Sequence, residues 1–258
     1  MTTPEPGVAL LTLNRPASRN SLSRAMMAAL DGALLAIADD RDLSAVVLTG
    51  AGPVFSAGHD LKELTAHRAD ADGGRAFYAE TMQACARLMQ RIVMSPKPVI
   101  AAVQGIATAA GCQLVASCDL AVAADTARFA TPGVNIGLFC STPMVALSRN
   151  ISRKRAMEML LLGEMLSAAH AAEYGLINRA VPEAQVMEEA IAMARQIASK
   201  SPATVAIGKE AFYRQIEAPL SEAYDYAAGV MVENMMYADA EEGIRAFVEK
   251  RQPTWKGC

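Results

Sequence analysis

Apolar and polar positions follow two spacings along this chain, one typical of buried strands and one typical of amphipathic helices. Short apolar runs bounded by Gly, Pro or Asp predict strands at 8–13, 45–49, 99–103 and 120–124. Apolar residues three or four positions apart predict helices between these strands; the first such series is Leu22, Met26, Leu30, Leu34 and Ile37. From Ser152 onward the pattern is helical.

Strand and helix patterns alternate in the first part of the chain and give way to helices alone in the last part. This order predicts an α/β core over residues 1–200 and a helical C-terminal region over residues 201–258. We expect the helical region to cover a pocket or to contact another subunit. Its methionines are also typical of plain core packing.

The stretch PVIAAVQGIATAAGCQLVASCD, residues 98–119, organises the core. An apolar strand leads into small residues at 108–112, and a short apolar helix follows. A strand, a tight turn and a helix N-terminus together present free backbone N–H groups and partial positive charge. This arrangement suits an anion or an oxygen that becomes negative during a reaction. Close packing of a helix on a sheet explains the small residues equally well.

The stretch GAGPVFSAGHD, residues 50–60, is predicted to be a long loop. It ends at Asp60, which is followed three positions later by Glu63, and this spacing predicts the N-terminus of a helix. We expect Thr65–Gly74 to form a mobile loop because it is rich in charge and ends in two glycines.

Composition narrows the function classes. The chain has 258 residues, 52% hydrophobic and 20% charged, with a net charge of −3 and no long run of one charge sign. We therefore expect no nucleic-acid or membrane partner. The five cysteines lack paired metal-ligand spacing, the three histidines are scattered, and residues 1–16 lack the features of a signal peptide. These features predict a cytoplasmic protein without a metal.

Five stretches, taken together and in order, resemble the enoyl-CoA hydratase/isomerase (crotonase) family. They are LTLNRP (11–16), FSAGHDLKEL (55–64), PVIAAVQGIATAAGCQLVASCDLAVA (98–123), FATPGVNIGL (129–138) and GIRAFVEKRQPTW (243–255). The resemblance implies a crotonase-like spiral of ββα repeats with a helical C-terminal region. It also implies a homotrimer or a dimer of trimers. A coenzyme A thioester is implied as substrate or ligand, with no permanently bound cofactor.

The resemblance also implies the parts of a site. Two backbone N–H groups, at His59 and Ala110, would form an oxyanion hole for the thioester oxygen. The implied coenzyme A-binding residues are Ala57, Gly58, Asp60, Leu61 and Lys62. Lys62 is a candidate partner for a phosphate, although an isolated surface lysine is more often simply solvated.

The chain departs from the family where the catalytic glutamates are expected. Hydration of a conjugated double bond uses two carboxylates for general acid–base catalysis. Their positions hold Gln113 and Gly133 here. Asn135 is a further candidate polar group that would orient a water or a substrate oxygen. His59 is a candidate base or merely shapes the loop, and Cys140 is a candidate weak acid or a structural thiol.

Two hypotheses about function remain open from the sequence. The first is an acyl-CoA-processing enzyme, a hydratase-like lyase or a decarboxylase, isomerase or thioesterase that works through an oxyanion-stabilised enolate. The second is a binding protein that keeps the pocket without catalysis. Under the first hypothesis, restoring glutamates at both positions 113 and 133 should raise hydratase activity.

Overall fold

Consecutive strands of this protein pass from one sheet to a second sheet before the chain turns into a helix. The computed structural model describes all residues, Met1–Cys258. In chain order the elements are β1 (Thr2–Glu5), β2 (Gly7–Leu13), α1 (Arg24–Asp39), β3 (Leu43–Gly50), β4 (Val54–Ser56), α2 (Leu61–Ala66), α3 (Arg75–Met94), β5 (Val99–Val103), β6 (Ile106–Thr108), α4 (Ala110–Ser117), β7 (Leu120–Ala124), β8 (Arg128–Ala130), α5 (Pro143–Asn150), α6 (Arg153–Leu162), β9 (Leu166–Ser167), α7 (Ala168–Tyr174), β10 (Arg179–Val181), α8 (Val186–Ala198), α9 (Pro202–Gln215), α10 (Leu220–Met235) and α11 (Ala238–Glu249).

The strands form two sheets. The six-stranded sheet has the order β1-β2-β3-β5-β7-β10, with β1 antiparallel and the other strands parallel. The four-stranded sheet has the order β4-β6-β8-β9, in which β4, β6 and β8 are parallel and β9 is antiparallel. The pairs β3–β4, β5–β6 and β7–β8 each give one strand to each sheet, and a helix follows each pair. The predicted spiral of ββα repeats is therefore confirmed.

The core lies between the six-stranded sheet and the helices that cover it. Every residue of β5 is buried, which explains its uninterrupted apolar run. On one side α8, which spans the residues predicted for it, packs against the central strands through Val186, Ala190 and Ala194. Small side chains let this helix approach the sheet closely.

The C-terminal helices are joined to the core by a buried ion pair. Lys209 of α9 donates from Nζ to Asp119 Oδ2 at 2.7 Å and to the carbonyl oxygen of Ile92 at 2.9 Å. Tyr213, one turn later, donates from Oη to Asp119 Oδ1 at 3.0 Å. These contacts fix α9 near the start of β5, where the Val99 N–H also donates to Asp119 Oδ2 at 2.7 Å. The division into residues 1–200 and 201–258 stays a prediction.

Several local predictions differ from the structure. The first helix begins at Arg24 because the Ser23 hydroxyl accepts from the Met26 N–H, so Ser23 is the N-cap. The predicted 50–60 loop contains β4, and the small-residue turn is preceded by β6. The mobile-loop prediction is wrong for 65–69, which form the end of α2 and a 3-10 helix (His67–Ala69). The His67 ring stacks on Phe77 with centroids 3.5 Å apart. No helix has the length and apolar character needed to span a membrane.

Candidate functional site

The candidate site lies where three parallel strands of the smaller sheet end. β4, β6 and β8 are neighbours in this sheet, so their carboxyl ends lie along one edge. The segment 57–59 follows β4, the segment 109–110 follows β6, and Thr131–Gly133 follows β8. The fold therefore brings together at one edge three segments that the sequence analysis treated separately.

The first arm of the site is Ala57–His59, and three backbone groups of Ala57 and Gly58 have hydrogen-bond partners. The Ala57 N–H donates to the Arg19 carbonyl at 3.0 Å, and the Gly58 carbonyl accepts from the Leu22 N–H at 2.7 Å. The Gly58 N–H donates to Ser56 Oγ at 3.3 Å. The N–H of His59 has no hydrogen-bond partner, so this donor is left for a ligand.

The second arm is formed by Ala109 and Ala110. Ala109 has φ 50° and ψ −120°, a conformation that residues other than glycine rarely adopt. Its N–H donates to the carbonyl of Ala130 at 2.9 Å, which ties this arm to the end of β8. Ala110 is the first residue of α4, so its N–H has no acceptor inside the helix. The strained peptide between the two alanines sets the direction of that free N–H.

Two glycines let the arms approach each other. A β-carbon on Gly58 would lie 2.9 Å from Ala109 Cβ and 3.1 Å from Ala110 N. A β-carbon on Gly111 would lie 2.2 Å from the Ser56 carbonyl oxygen. The two arms are therefore in backbone contact, and the free N–H groups of His59 and Ala110 belong to adjoining segments. An oxyanion hole needs two backbone donors on adjoining segments, and this contact is compatible with one.

The imidazole of His59 is held in a mostly buried position. Its Nδ1 lies 3.4 Å from the Leu22 carbonyl oxygen, and its Nε2 is buried without a partner. Burial lowers the pKa of His59, an effect only partly offset by the Leu22 carbonyl and by Glu63. The ring is therefore neutral near pH 7, and Nδ1–H donation to Leu22 leaves Nε2 as an unpaired acceptor.

Gln113 is the residue at which the resemblance places the first catalytic glutamate. Its side chain is 4% exposed and lies between α3 and α4, where the Cys85 thiol donates to Oε1 at 3.8 Å. Burial raises the pKa of Cys85 to about 11, so this thiol stays protonated. An amide that accepts from a neutral thiol has no proton to exchange at neutral pH, so Gln113 does not replace the missing base.

A neighbouring segment of the chain fills the space beside Gly133, the residue at which the resemblance places the second glutamate. A β-carbon on Gly133 would lie 2.7 Å from the Leu138 carbonyl oxygen and 2.9 Å from Cys140 Sγ. A glutamate at residue 133 would have to displace the segment 138–140, which occupies the space that its side chain needs. The effect of glutamates at both positions on hydratase activity stays a prediction.

The other candidate polar groups have local partners or are buried. The Asn135 amide donates to the Gly163 carbonyl at 3.3 Å, at the end of α6, and the residue is exposed. Cys140 is 8% exposed, and burial raises the pKa of its thiol although the Gly133 N–H opposes this. Asn135 is thus bound to a helix end, and Cys140 behaves as a structural thiol.

The predicted coenzyme A-binding residues lie at the start of α2. Asp60 is the N-cap, and its carboxylate accepts from the N–H groups of Lys62 and Glu63 at 3.2 and 3.3 Å. Burial would raise the pKa of Asp60, but these bonds and the Ser21 hydroxyl outweigh it and hold the pKa below its ordinary value. Leu61 and Lys62 line a shallow groove of about 500 Å³ with Thr65 and Ala66.

A larger cleft of about 910 Å³ lies elsewhere, between α9, α10 and the last residues of the chain. Its polar lining includes Glu210, Asp225 and Glu233, and none of the predicted site residues reaches it. We place the candidate site at the strand edge because the free N–H groups lie there.

The roles of two residues at the site were not predicted from the sequence. Ala109 is an alanine in a strained conformation, and nothing in its identity signals a positive φ. The side chain of Asn20 donates to the carbonyls of Ala51 and Val54, on the segment that leads into the first arm. A buried polar residue between two loop segments is a signal that only the fold reveals.

Two free N–H groups at the ends of parallel strands in a two-sheet ββα spiral define a protein of the crotonase class. The chain belongs to the enoyl-CoA hydratase/isomerase family, whose profile matches residues 3–258. It is 50% identical over 96% of its length to the mitochondrial enoyl-CoA hydratase domain-containing protein 3 of Rattus norvegicus, of which it covers 81%. The stretches GHDLKELT and ATAAGCQLVASCD predict a resemblance to this subgroup, which is confirmed.

Solved structures agree with this assignment. The human protein of the same name is 50% identical with a TM-score of 0.92, and the alignment covers 96% of each chain. A Mycobacterium smegmatis enoyl-CoA hydratase is 52% identical with a TM-score of 0.91, covering 96% of this chain and 95% of that chain.

The prediction of a cytoplasmic protein is wrong, because relatives about half identical to this chain in rat and human are named as mitochondrial proteins. The prediction relied on cysteine usage, on charge and on the sequence of residues 1–16. Cysteine usage distinguishes oxidising from reducing surroundings, and it does not distinguish one reducing compartment from another.

Proposed function

We propose that this protein binds acyl-CoA thioesters and holds the thioester oxygen between the backbone N–H groups of His59 and Ala110. The observation that carries the proposal is the contact between the two arms at Gly58, which brings two free donors to one edge of the sheet. Removing one such donor from an enzyme typically raises the reaction barrier by about 2.7–4 kcal/mol. The groove at Leu61 and Lys62 would take part of the coenzyme A moiety.

The reaction that suits this site proceeds without a carboxylate base. Positions 113 and 133 hold no carboxylate, Asp60 caps α2, and Glu63 accepts from the Arg24 N–H. Decarboxylation of a malonyl-type thioester meets this condition. The electron pair of the breaking C–C bond moves to the thioester, CO₂ leaves, the enolate oxygen rests on the two N–H groups, and water then protonates the α-carbon.

A second candidate function is a carrier that binds acyl-CoA without turnover. Closure of the space beside Gly133 by Leu138 and Cys140 favours this candidate, since an inactive pocket has no need for that space. Incubation with a panel of acyl-, enoyl- and malonyl-type CoA esters, followed by mass spectrometry, separates the two. Loss of CO₂ or gain of water indicates an enzyme, and unchanged masses with saturable binding indicate a carrier.

The oxyanion hole itself is tested by replacing Ala110 with proline. Proline is tolerated at the first position of a helix, where its missing N–H has no intrahelical partner. We expect Ala110→Pro to weaken butanoyl-CoA binding about tenfold in calorimetry and to leave free coenzyme A binding unchanged. Arg153→Pro, at the first position of α6, controls for the loss of a first-turn N–H. Because proline also restricts the residue before it, here the strained Ala109, circular dichroism of Ala110→Pro must match that of the wild type. Equal binding of butanoyl-CoA by wild type and Ala110→Pro would contradict the proposal.

We also propose the homotrimer or dimer of trimers that the family implies. α10 and α11 bury few of their own side chains, and Met236, Phe247 and Val248 are 79%, 85% and 73% exposed. Apolar surface of this extent is typical of a subunit contact. Light scattering should show a smaller species for Phe247→Glu and an unchanged one for Leu35→Glu, which alters an exposed apolar residue on α1.

A further inference from the structure

We infer that Asn20 and Ser56 are positioning residues that set the direction of the His59 N–H in the oxyanion hole. The inference rests on the proposed function, since it concerns the same hole. It adds a specific device, a pair of buried polar side chains that holds the first arm against the second.

Asn20 is fully buried and ties three backbone segments together. Its Oδ1 accepts from the Arg15 N–H at 2.9 Å, and its Nδ2 donates to the carbonyls of Ala51 and Val54 at 2.9 and 2.7 Å. The side-chain amide therefore uses both of its N–H donors on these two backbone carbonyls. These carbonyls flank the entry to β4, the strand that delivers the first arm.

The backbone of Asn20 is also held in an unusual state. Asn20 and the preceding Arg19 have φ values of 50° and 53°, so two successive residues lie in the left-handed region. This turn presents the Arg19 carbonyl to the Ala57 N–H and the Leu22 N–H to the Gly58 carbonyl. The strained turn thus holds Ala57 and Gly58, the two residues directly before His59, through backbone hydrogen bonds. Backbone strain of this kind is common at functional sites.

Ser56 connects this turn to both arms of the hole. Its Oγ donates to the Asn20 carbonyl at 2.9 Å and accepts from the Gly58 N–H at 3.3 Å. Its own carbonyl lies against Gly111, where a β-carbon would stand only 2.2 Å away. A change in Ser56 is therefore felt at Gly58 on one arm and at the start of α4 on the other.

Such a chain of contacts matters because donors in an oxyanion hole act only when held within a few tenths of an ångström of the right place. Hydrogen bonds hold the Ala57 N–H and both backbone groups of Gly58, while the N–H of His59 is left free. Loosening Asn20 or Ser56 would let the Gly58–His59 peptide rotate, and the free donor would lose its direction while the coenzyme A groove on α2 stays in place.

The experiment measures the carbonyl stretching frequency of butanoyl-CoA labelled with ¹³C at the thioester carbonyl, bound to the full-length protein. A hydrogen-bonded thioester carbonyl absorbs at lower frequency than a free one. We expect a downshift in the wild type that falls to half or less in Ser56→Ala and Asn20→Gly. Affinity for free coenzyme A should stay within about threefold of wild type. Glycine adopts the φ of residue 20 without strain, so Asn20→Gly removes only the amide contacts.

The control is Asn178→Ala, which removes an asparagine whose Oδ1 accepts from the Ala121 N–H of β7 at 2.7 Å, away from the site. It should keep the full downshift. A full downshift in folded Ser56→Ala and Asn20→Gly would overturn the positioning role alone. An equal loss in Asn178→Ala would also overturn it, and so would failure of both test variants to fold, because the pair would then serve stability only. Absence of a downshift in the wild type would instead refute the oxyanion hole itself.

Discussion

The carbonyl oxygen of Leu138 lies 2.7 Å from the point where a β-carbon on Gly133 would stand. Real β-carbons do not approach a backbone oxygen so closely, so residue 133 has to be glycine while the segment 138–140 keeps its course. The absence of a carboxylate at this position is therefore built into the backbone of this protein and does not depend on one side chain alone.

Gly133→Ala should lower the free energy of unfolding by about 1–3 kcal/mol, because the new methyl group overpacks a closed site. Denaturant unfolding measures the change. Gly208→Ala is the matched control, since Gly208 lies in α9 with nothing within 4 Å of its β-carbon position. That substitution should raise stability by up to about 1 kcal/mol through helix propensity. Equal effects of the two variants would contradict the closure of the site.

Gln113→Glu alone should raise the rate of crotonyl-CoA hydration, followed by loss of enoyl absorbance. A buried carboxylate in place of the Gln113 amide supplies a base, and burial raises its pKa above the ordinary value of about 4.3. The added rate should therefore increase with pH through that raised pKa. Gln113→Met, which keeps the size and lacks the base, is the control. A rate no higher than that of the methionine variant would show that residue 113 does not face the substrate.

Ala109→Gly should stabilise the protein, because glycine accepts the φ of 50° and ψ of −120° that alanine holds under strain. Strain of this kind destabilises the folded state by about 1–3 kcal/mol. The greater conformational entropy of glycine in the unfolded chain lowers the free energy of unfolding by less than the strain that is relieved. Ala116→Gly, inside α4, should instead destabilise by about 1 kcal/mol. Thermal unfolding of the two variants should shift in opposite directions, and a lower melting temperature for Ala109→Gly would contradict the assignment of strain.

Lys209→Met should lower the free energy of unfolding by about 3 kcal/mol, because it leaves the Asp119 carboxylate buried without its cation. The two side chains are 6% and 14% exposed. The surface ion pair of Arg149 and Glu217, whose side chains are 55% and 57% exposed, provides the comparison. Arg149→Met should cost less than about 1 kcal/mol. Asp119→Asn should restore part of the stability of Lys209→Met, and simple addition of the two losses would argue against a coupled pair.

Acidification should release the C-terminal segment and expose Trp255. Burial would raise the pKa of Asp239, but bonds from the Ser201 hydroxyl and the N–H groups of Lys256 and Gly257 outweigh it and lower the pKa. The stabilisation is present above the ordinary pKa of about 3.9 and is lost as pH falls through the lower folded value.

Trp255 is the only tryptophan, and its Nε1 donates to the Ser199 carbonyl at 2.8 Å, so its fluorescence reports the release. Asp239→Asn should show the exposed emission at neutral pH already. A titration curve identical in wild type and Asp239→Asn would remove Asp239 from this role.

Much of the fold could be predicted from signals that are local in the sequence. Asp60 and Glu63 predicted the start of α2 because an N-cap depends on neighbouring residues alone, and β5 was evident from its unbroken apolar run. β4 and β6 were missed because strands of three residues show no periodicity and form only by pairing with neighbours in the sheet, β4 with β6 and β6 also with β8. Short strands of this kind follow from topology, which one sequence pattern does not encode.

The sequence predicted which residues belong to the candidate site but not how they are arranged in space. The resemblance placed the donors at His59 and Ala110, and the structure brings their segments into contact at Gly58. The closure at Gly133 comes from the segment 138–140 folding back on it, and the bond between Asn135 and Gly163 joins residues 28 positions apart. Their positions depend on the packing of α6 and of the segment 138–140, so residue types alone could not predict them.

The bond between the Ala109 N–H and the Ala130 carbonyl has a consequence for biosynthesis. As the chain leaves the ribosome, residues 57–59 emerge long before the strand that ends at Ala130. Under the proposed function, a ligand that needs both donors would therefore bind only molecules in which this late strand is already paired in its sheet.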